Sequence, residues 1–258
     1  MPVADARDCS INYLEQGDGV HNVLFLHGLL QSSELWTPLM RGMPSIEFRR
    51  LAFDLPGCGG SSPLPTPTID AMADSVRQAL HSIKIERCSV VACGVGGMVA
   101  QSLGARYPHI VFKLVLFGSR AFALDAQAAT AQAERLAELD WSREALSDEI
   151  ASHYVKRPRE KLFGELLDIA EATDQQAACA VAREYANANT VDLLNRLTAR
   201  TLIIRGGKDA PLTAAEAEIL RSQIPTSRIE SIDSAGAMAM IEAPRLFKTH
   251  MLELLREF

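Results

Sequence analysis

A carboxylate and an imidazole one helical turn apart can orient a proton acceptor, and Glu149 and His153 have that spacing within a helical stretch. His153 and its neighbour Tyr154 are therefore candidates to face a cavity, although an i,i+4 pair is more often a solvated face than a ligand site. Arg120 follows the apolar run Phe112–Phe117, at the carboxyl end of a strand where ligands collect in open parallel sheets; it suits an anion contact or an anchor for whatever packs above. Asp209 follows a similar run, Thr201–Arg205, and suits acid–base work or the capping of loop amides before the next helix. Cys58 could border a pocket but has no base beside it in sequence, and Cys93 reads as a small buried hydrophobe. Trp36 reads as core, with a substrate platform as the sharper alternative. The five cysteines show neither zinc spacing nor a disulfide framework, so reduced thiols are expected, with no metal and no cofactor.

Short β-branched runs that alternate with longer helical patterns must position these groups, which is the signature of a parallel sheet with crossover helices. Expected strands are Val23–His27, Phe48–Asp54, Cys88–Cys93, Phe112–Phe117, Thr201–Arg205 and Arg228–Ile232, with Ser10–Gln16 added at the amino-terminal side. Expected helices are Ile69–Ile83, Gly96–Tyr107 before Pro108, Thr213–Ser222 and Pro244–Glu257. Thr213-Ala214-Ala215-Glu216 reads as a capping box that fixes where its helix begins. The alternation breaks between Arg120 and Thr201, where only helical periodicity is found over a length no ordinary loop would have. Residues 1–120 and 200–258 are thus expected to form one core, and 121–199 a helical cap inserted into it.

With 258 residues, 48% of them hydrophobic, the chain can bury a full core. A net charge of −6 lacks the basic face that nucleic acid requires, and no run is long and apolar enough for a membrane. The first residues carry acids rather than an apolar stretch, which argues against a signal peptide and for a cytoplasmic location.

Five segments, in order, carry a family resemblance. Leu26-His27-Gly28-Leu29-Leu30 ends a strand on His-Gly, and Asp54-Leu55-Pro56-Gly57-Cys58-Gly59-Gly60-Ser61-Ser62 is a glycine-rich loop after the next strand. Val90-Val91-Ala92-Cys93-Gly94-Val95-Gly96-Gly97 is a strand-to-helix turn. Arg205-Gly206-Gly207-Lys208-Asp209, and Ser234-Ala235-Gly236-Ala237-Met238 before Glu242-Ala243-Pro244, complete the set. Together they resemble the α/β-hydrolases, which implies a mostly parallel twisted sheet flanked by helices. The resemblance implies that backbone N–H groups of Leu29 and Val95, beside Gly28, form an oxyanion hole. It also sets Asp209 at the acid position of the family's catalytic triad. Two departures stand out: Gly94 holds the place of the nucleophilic serine and Ala237 that of the histidine. His250 lies inside the last helix, too far along to replace it.

A hydrolase-like pocket without its serine implies a small-molecule enzyme that stabilises an enolate or oxyanion: lyase, decarboxylase, cyclase or isomerase chemistry on an anionic or enolisable ligand. Two alternatives stay open: an inactive relative that binds a ligand or a protein, and a hydrolase with a relocated nucleophile or an activated water. Arg120, Trp36, His153 and Cys58 are the candidate ligand contacts.

Overall fold

The computed structural model describes residues 1–208 and 212–257. Eight strands, β1 (Val3–Asp5), β2 (Ser10–Gln16), β3 (His21–Leu26), β4 (Phe48–Phe53), β5 (Cys88–Cys93), β6 (Val111–Phe117), β7 (Arg200–Gly206) and β8 (Ser227–Ile232), form one sheet in the order β1-β2-β4-β3-β5-β6-β7-β8. The pairings from β4 through β8 are parallel, and β1 and β2 join antiparallel at one edge. This is the α/β-hydrolase fold expected from the sequence.

Side-chain alternation along the central strands feeds two cores. Leu24, Leu26, Val90, Ala92, Leu114 and Leu116 point to one face, covered by α2 (Ile69–Ser82) and α3 (Gly94–Arg106). Val23, Phe25, Val91, Val115 and Phe117 point to the other, beneath a short 3-10 turn (Ser33–Trp36), α1 (Thr37–Arg41) and α11 (Pro244–Arg256). Burial on both faces explains why these strands read as unbroken apolar runs. Trp36 is fully buried here, with ring centroids 5.1 Å from Phe25 and 5.9 Å from Phe117.

Five helices connect β6 to β7: α4 (Ala126–Glu138), α5 (Arg143–Ala151), α6 (Glu160–Glu171), α7 (Gln175–Asn187) and α8 (Val191–Leu194). Asp125, Ser142 and Asp174 accept hydrogen bonds from the first-turn amides of α4, α5 and α7, so local caps set these starts. The insert has its own apolar cluster of Ala129, Ala133, Leu136, Leu146, Phe163 and Ala178, and Leu30 from the loop after β3 joins it. Beyond β7 come α9 (Ala214–Gln223), with the expected Thr213–Glu216 capping box, and α10 (Ala239–Glu242).

Candidate active site

Parallel neighbours end together, so the loops after β3, β5 and β6 leave the sheet side by side. Leu26 pairs with Ala92 and Cys93 with Phe117, placing Gly28, Gly94 and Gly118 at one edge. Gly94 opens α3 with φ +52°, the left-handed conformation of a tight strand-to-helix turn. A Cβ added there would meet only the Gly28 Cα, at 3.2 Å. Behind it a Cβ at Gly96 would lie 2.4 Å from the His27 carbonyl oxygen, so that residue has to be glycine for the turn to seat against β3. Ser119 Oγ donates to the Gly94 carbonyl at 2.8 Å, tying the turn to the loop after β6.

The loop after β3 is held from beneath. His27 is fully buried; its Nε2 accepts from the Leu55 amide at 3.0 Å, which leaves Nδ1 to donate to the Gly28 carbonyl at 2.7 Å. Burial lowers its pKa, so the ring stays neutral and acts as a strut. Asp54, also fully buried, accepts from the Ser33 and Gly60 amides and from Asn12 Nδ2. The Gly28 N–H is taken by Gln31 Oε1 at 2.8 Å. Leu30 adopts φ +57°, a rare state for a branched residue, and its burial in the insert's core holds it there. The N–H groups of Leu29 and Val95 donate to no described acceptor.

Above this edge lies a cavity of about 570 Å³. Leu29, Gly94, Val95 and Ala237 line its floor, and Glu149, His153, Tyr154 and Tyr185 come from the insert. Arg120, at the junction, lines it too. His153 Nε2 stands 3.6 Å from Glu149 Oε1, too long for a hydrogen bond but within ion-pair reach once the imidazole takes a proton. His153, with help from Arg135, holds the Glu149 carboxyl below the usual range against the opposing effect of burial. Glu242 clamps the insert to the loop that carries Ala237: its carboxylate accepts from Val155 N at 2.7 Å and from Gly236 N at 2.8 Å. Tyr154 sits beneath that clamp, its phenol pKa raised by burial and by the nearby Cys93 and Glu242.

Of the residues singled out in the sequence, the structure brings Gly28, Leu29, Gly94, Val95, Arg120, His153 and Ala237 to one cavity. It does not bring Trp36 or Cys58 there. Trp36 is core, and Cys58 is enclosed under the Asp54 loop, where burial pushes its thiol pKa up to about 12. Cys93 touches the cavity but is likewise pushed up to about 12, which leaves it no thiolate to attack with. Asp209 lies outside the described residues. Tyr185 and Glu242 were not anticipated: Tyr185 sits in a featureless alanine-rich helix, and Glu242 acts on a segment 87 residues away. Among the described residues no cluster of His, Cys, Asp and Glu is arranged to hold a metal, and no helix is long and apolar enough to cross a membrane.

A family model described as alpha/beta hydrolase fold matches residues 21–244. The 3-oxoadipate enol-lactonase 1 of Acinetobacter baylyi is 25% identical over 232 residues, covering 87% of this chain and 85% of that protein. The human serine hydrolase BPHL is 25% identical over 228 residues, covering 85% of this chain and 74% of that protein. The crystal structure of the enol-lactonase from Burkholderia xenovorans shares the fold, with a TM-score of 0.90 at 21% identity over 99% of this chain and 100% of that one. These relatives are named for hydrolysis, which overturns the expectation of lyase, decarboxylase, cyclase or isomerase chemistry; the absence of a serine at Gly94 was too local a sign to set the reaction class. With the fold, the order of its loops and the match over residues 21–244 in agreement, the chain belongs to the alpha/beta hydrolase fold family.

Proposed function

We propose that this chain hydrolyses carboxylic esters or lactones in the cavity between the sheet and the helical insert, which acts as a cap, with water as the attacking group. The observation that carries the reading is that the undonated amides of Leu29 and Val95 share one cavity with the His153–Glu149 pair. We place Gly94 and Ala237 where the family holds its serine and histidine, so the floor supplies no hydroxyl and no imidazole of its own. A water above Gly94 then takes the serine's place.

In this scheme the water oxygen bonds to the acyl carbon while its proton passes to His153. The charge that develops on the carbonyl oxygen falls to the two amides, which need no reorganisation to receive it. Glu149 steadies the imidazolium. Collapse breaks the bond between the acyl carbon and the leaving oxygen, which takes the proton back from His153 and departs as an alcohol, or as the hydroxyl end of an opened lactone. An oxyanion hole and binding alone give about 10³–10⁴-fold over water, and a placed general base adds about 10²–10⁴.

Assays of p-nitrophenyl butyrate and δ-valerolactone test this, with His153→Ala purified alongside the parent. The parent is expected to turn over at least one of them, to carry no acyl adduct in quenched intact-mass spectra, and to lose about 100-fold or more in the variant. Turnover that persists undiminished in His153→Ala, an acyl adduct on the parent, or no hydrolysis at all overturns the proposal.

A further inference from the structure

Arg120 is 8% exposed, yet it lines the cavity, and its Nε finds no hydrogen-bond acceptor. Among the described residues no carboxylate lies within ion-pair distance of its guanidinium. A buried, positively charged donor left open toward a cavity is costly unless something fills the vacancy. The side chain is not loose. Its guanidinium carbon stacks 4.5 Å from the centroid of the Tyr185 ring, and its backbone carbonyl accepts from Gln101 Nε2 at 3.2 Å. Gln101 is fixed in turn by Thr190 Oγ1, 2.5 Å from its Oε1, and Thr190 also bonds the Ala121 carbonyl. Arg120 is thus pre-set between the sheet edge and the insert, which lowers the entropy lost on pairing.

The cavity's other charged groups do not satisfy it. Glu216 is spent on its own helix start, accepting from Thr213 N and Thr213 Oγ1, with Leu124 N on its second oxygen. Glu149 faces His153, Asp125 caps α4, and Lys208 adds positive charge to the same lining. Much of the remaining wall is alanine and leucine, including Ala128, Ala133, Leu124 and Leu136, which suits an apolar body.

We infer that Arg120 is a carboxylate-binding residue, and that among esters and lactones this site prefers those that carry a free carboxylate on an apolar body. The inference rests on the hydrolytic reading for the word ester, but its binding chemistry does not. A planar guanidinium matches a carboxylate through two parallel hydrogen bonds, and the stacked Tyr185 ring holds the fork in one plane. The oxyanion amides of Leu29 and Val95 are left for the reacting carbonyl.

Calorimetry with 4-phenylbutanoate and 4-phenylbutanamide tests this without any turnover, so its outcome is independent of whether the site hydrolyses anything. The parent is expected to bind the acid at least about tenfold more tightly than the amide. Arg120→Gln should erase that preference and leave affinity for the amide unchanged. In the parent labelled with ¹⁵N-arginine, one buried Nε resonance should shift with the acid and not with the amide, a readout that stands even if the variant fails to fold. Equal affinities in the parent, no binding of either compound, or a preference that survives in Arg120→Gln each overturn the inference; the last would place the acid on the oxyanion amides instead.

Discussion

The floor of the cavity and its wall are made of different material. The floor, from Gly28 and Leu29 through Gly94 and Val95 to Gly118 and Ala237, offers chiefly peptide groups and small side chains. The wall offers side chains: Glu149 and His153 from α5 and the turn after it, Tyr185 from α7, and Arg120 where sheet and insert meet. Peptide groups are placed by backbone geometry, so the floor's donors survive nearly any side-chain change that leaves the turns intact. The wall's chemistry depends on single residues. A serine-type site concentrates its nucleophile and base on the floor; here Glu149 and His153 stand on the insert, across the cavity from a floor of peptide groups.

The floor should therefore fail through crowding rather than through lost function. Gly96→Ala is the sharpest test, since its Cβ would fall 2.4 Å from the His27 carbonyl and 2.8 Å from that of Leu26, both backbone. Destabilisation of about 3 kcal/mol or more is expected, read as a shift in the denaturant midpoint at unchanged m-value. Two positions earlier the outlook reverses. At Gly94 the one close neighbour is a glycine Cα at 3.2 Å, so a side chain costs mainly its φ of +52°, about 1–3 kcal/mol. If both variants unfold alike, the floor is not the rigid frame described above.

That tolerance allows a second test of the contrast. Gly94→Ser with Ala237→His should place a hydroxyl and an imidazole on the floor, with Asp209 as the expected acid. Triad members act as a unit, so either change alone should add little and the pair far more than the sum. The parent should ignore fluorophosphonate probes, and the double variant should be labelled at residue 94. A folded double variant that stays unlabelled would mean that Ala237 does not stand where the family's histidine does.

Sequence reading had unequal reach over these regions, for physical reasons. β5 was legible to the residue, Cys88–Cys93, because burial on both faces leaves a short, mostly apolar run between the charged Glu86-Arg87 and the glycine turn at Gly94. The Thr213 capping box was legible because capping is a local contract between residues three apart. β1 was missed: three residues paired to an edge strand carry no pattern of their own. The length of the insert showed, but not its internal boundaries, since the starts of α4, α5 and α7 each rest on a single capping residue, Asp125, Ser142 or Asp174, within a long stretch of helix-forming sequence. In the site, the Glu149–His153 spacing and the position of Arg120 at a strand end are local facts and were readable. That Tyr185 lies under Arg120, that Glu242 clamps the Val155 amide, and that Trp36 and Cys58 turn inward depend on packing between distant segments. A single sequence does not encode those in any short-range pattern.

On the wall, Glu149→Gln separates orientation from proton transfer. The glutamine keeps the size of the side chain and removes its charge, so His153 retains a neighbour but loses the anion that steadies its protonated form. Hydrolysis should fall by about tenfold, clearly less than the loss expected for His153→Ala. Equal losses would make Glu149 the base itself, with His153 as its support.

The smallest effect expected is on stability against pH, and it too belongs to the wall. The Glu149 carboxyl is held below its ordinary range in the folded chain, first by His153 beside it and also by Arg135, with burial opposing. A group whose folded pKa is depressed contributes stability that is fully present above the unfolded value and is lost as pH falls through the folded one. For a glutamate that window opens near pH ~4.3 and extends downward. The partners are spaced at an ion-pair distance rather than in a hydrogen bond, and Arg135 stands further off at 4.0 Å, so the contribution should stay within about 1 kcal/mol. Melting curves of the parent and Glu149→Gln should then lie apart at pH 6 and draw together toward pH 3, with the parent the more stable at the higher value. Added salt should narrow the gap at pH 6, because the pair is only partly screened by protein. A gap that widens on acidification would mean that the carboxyl is protonated in the folded state, and that the His153–Glu149 pair has no anion to orient the base.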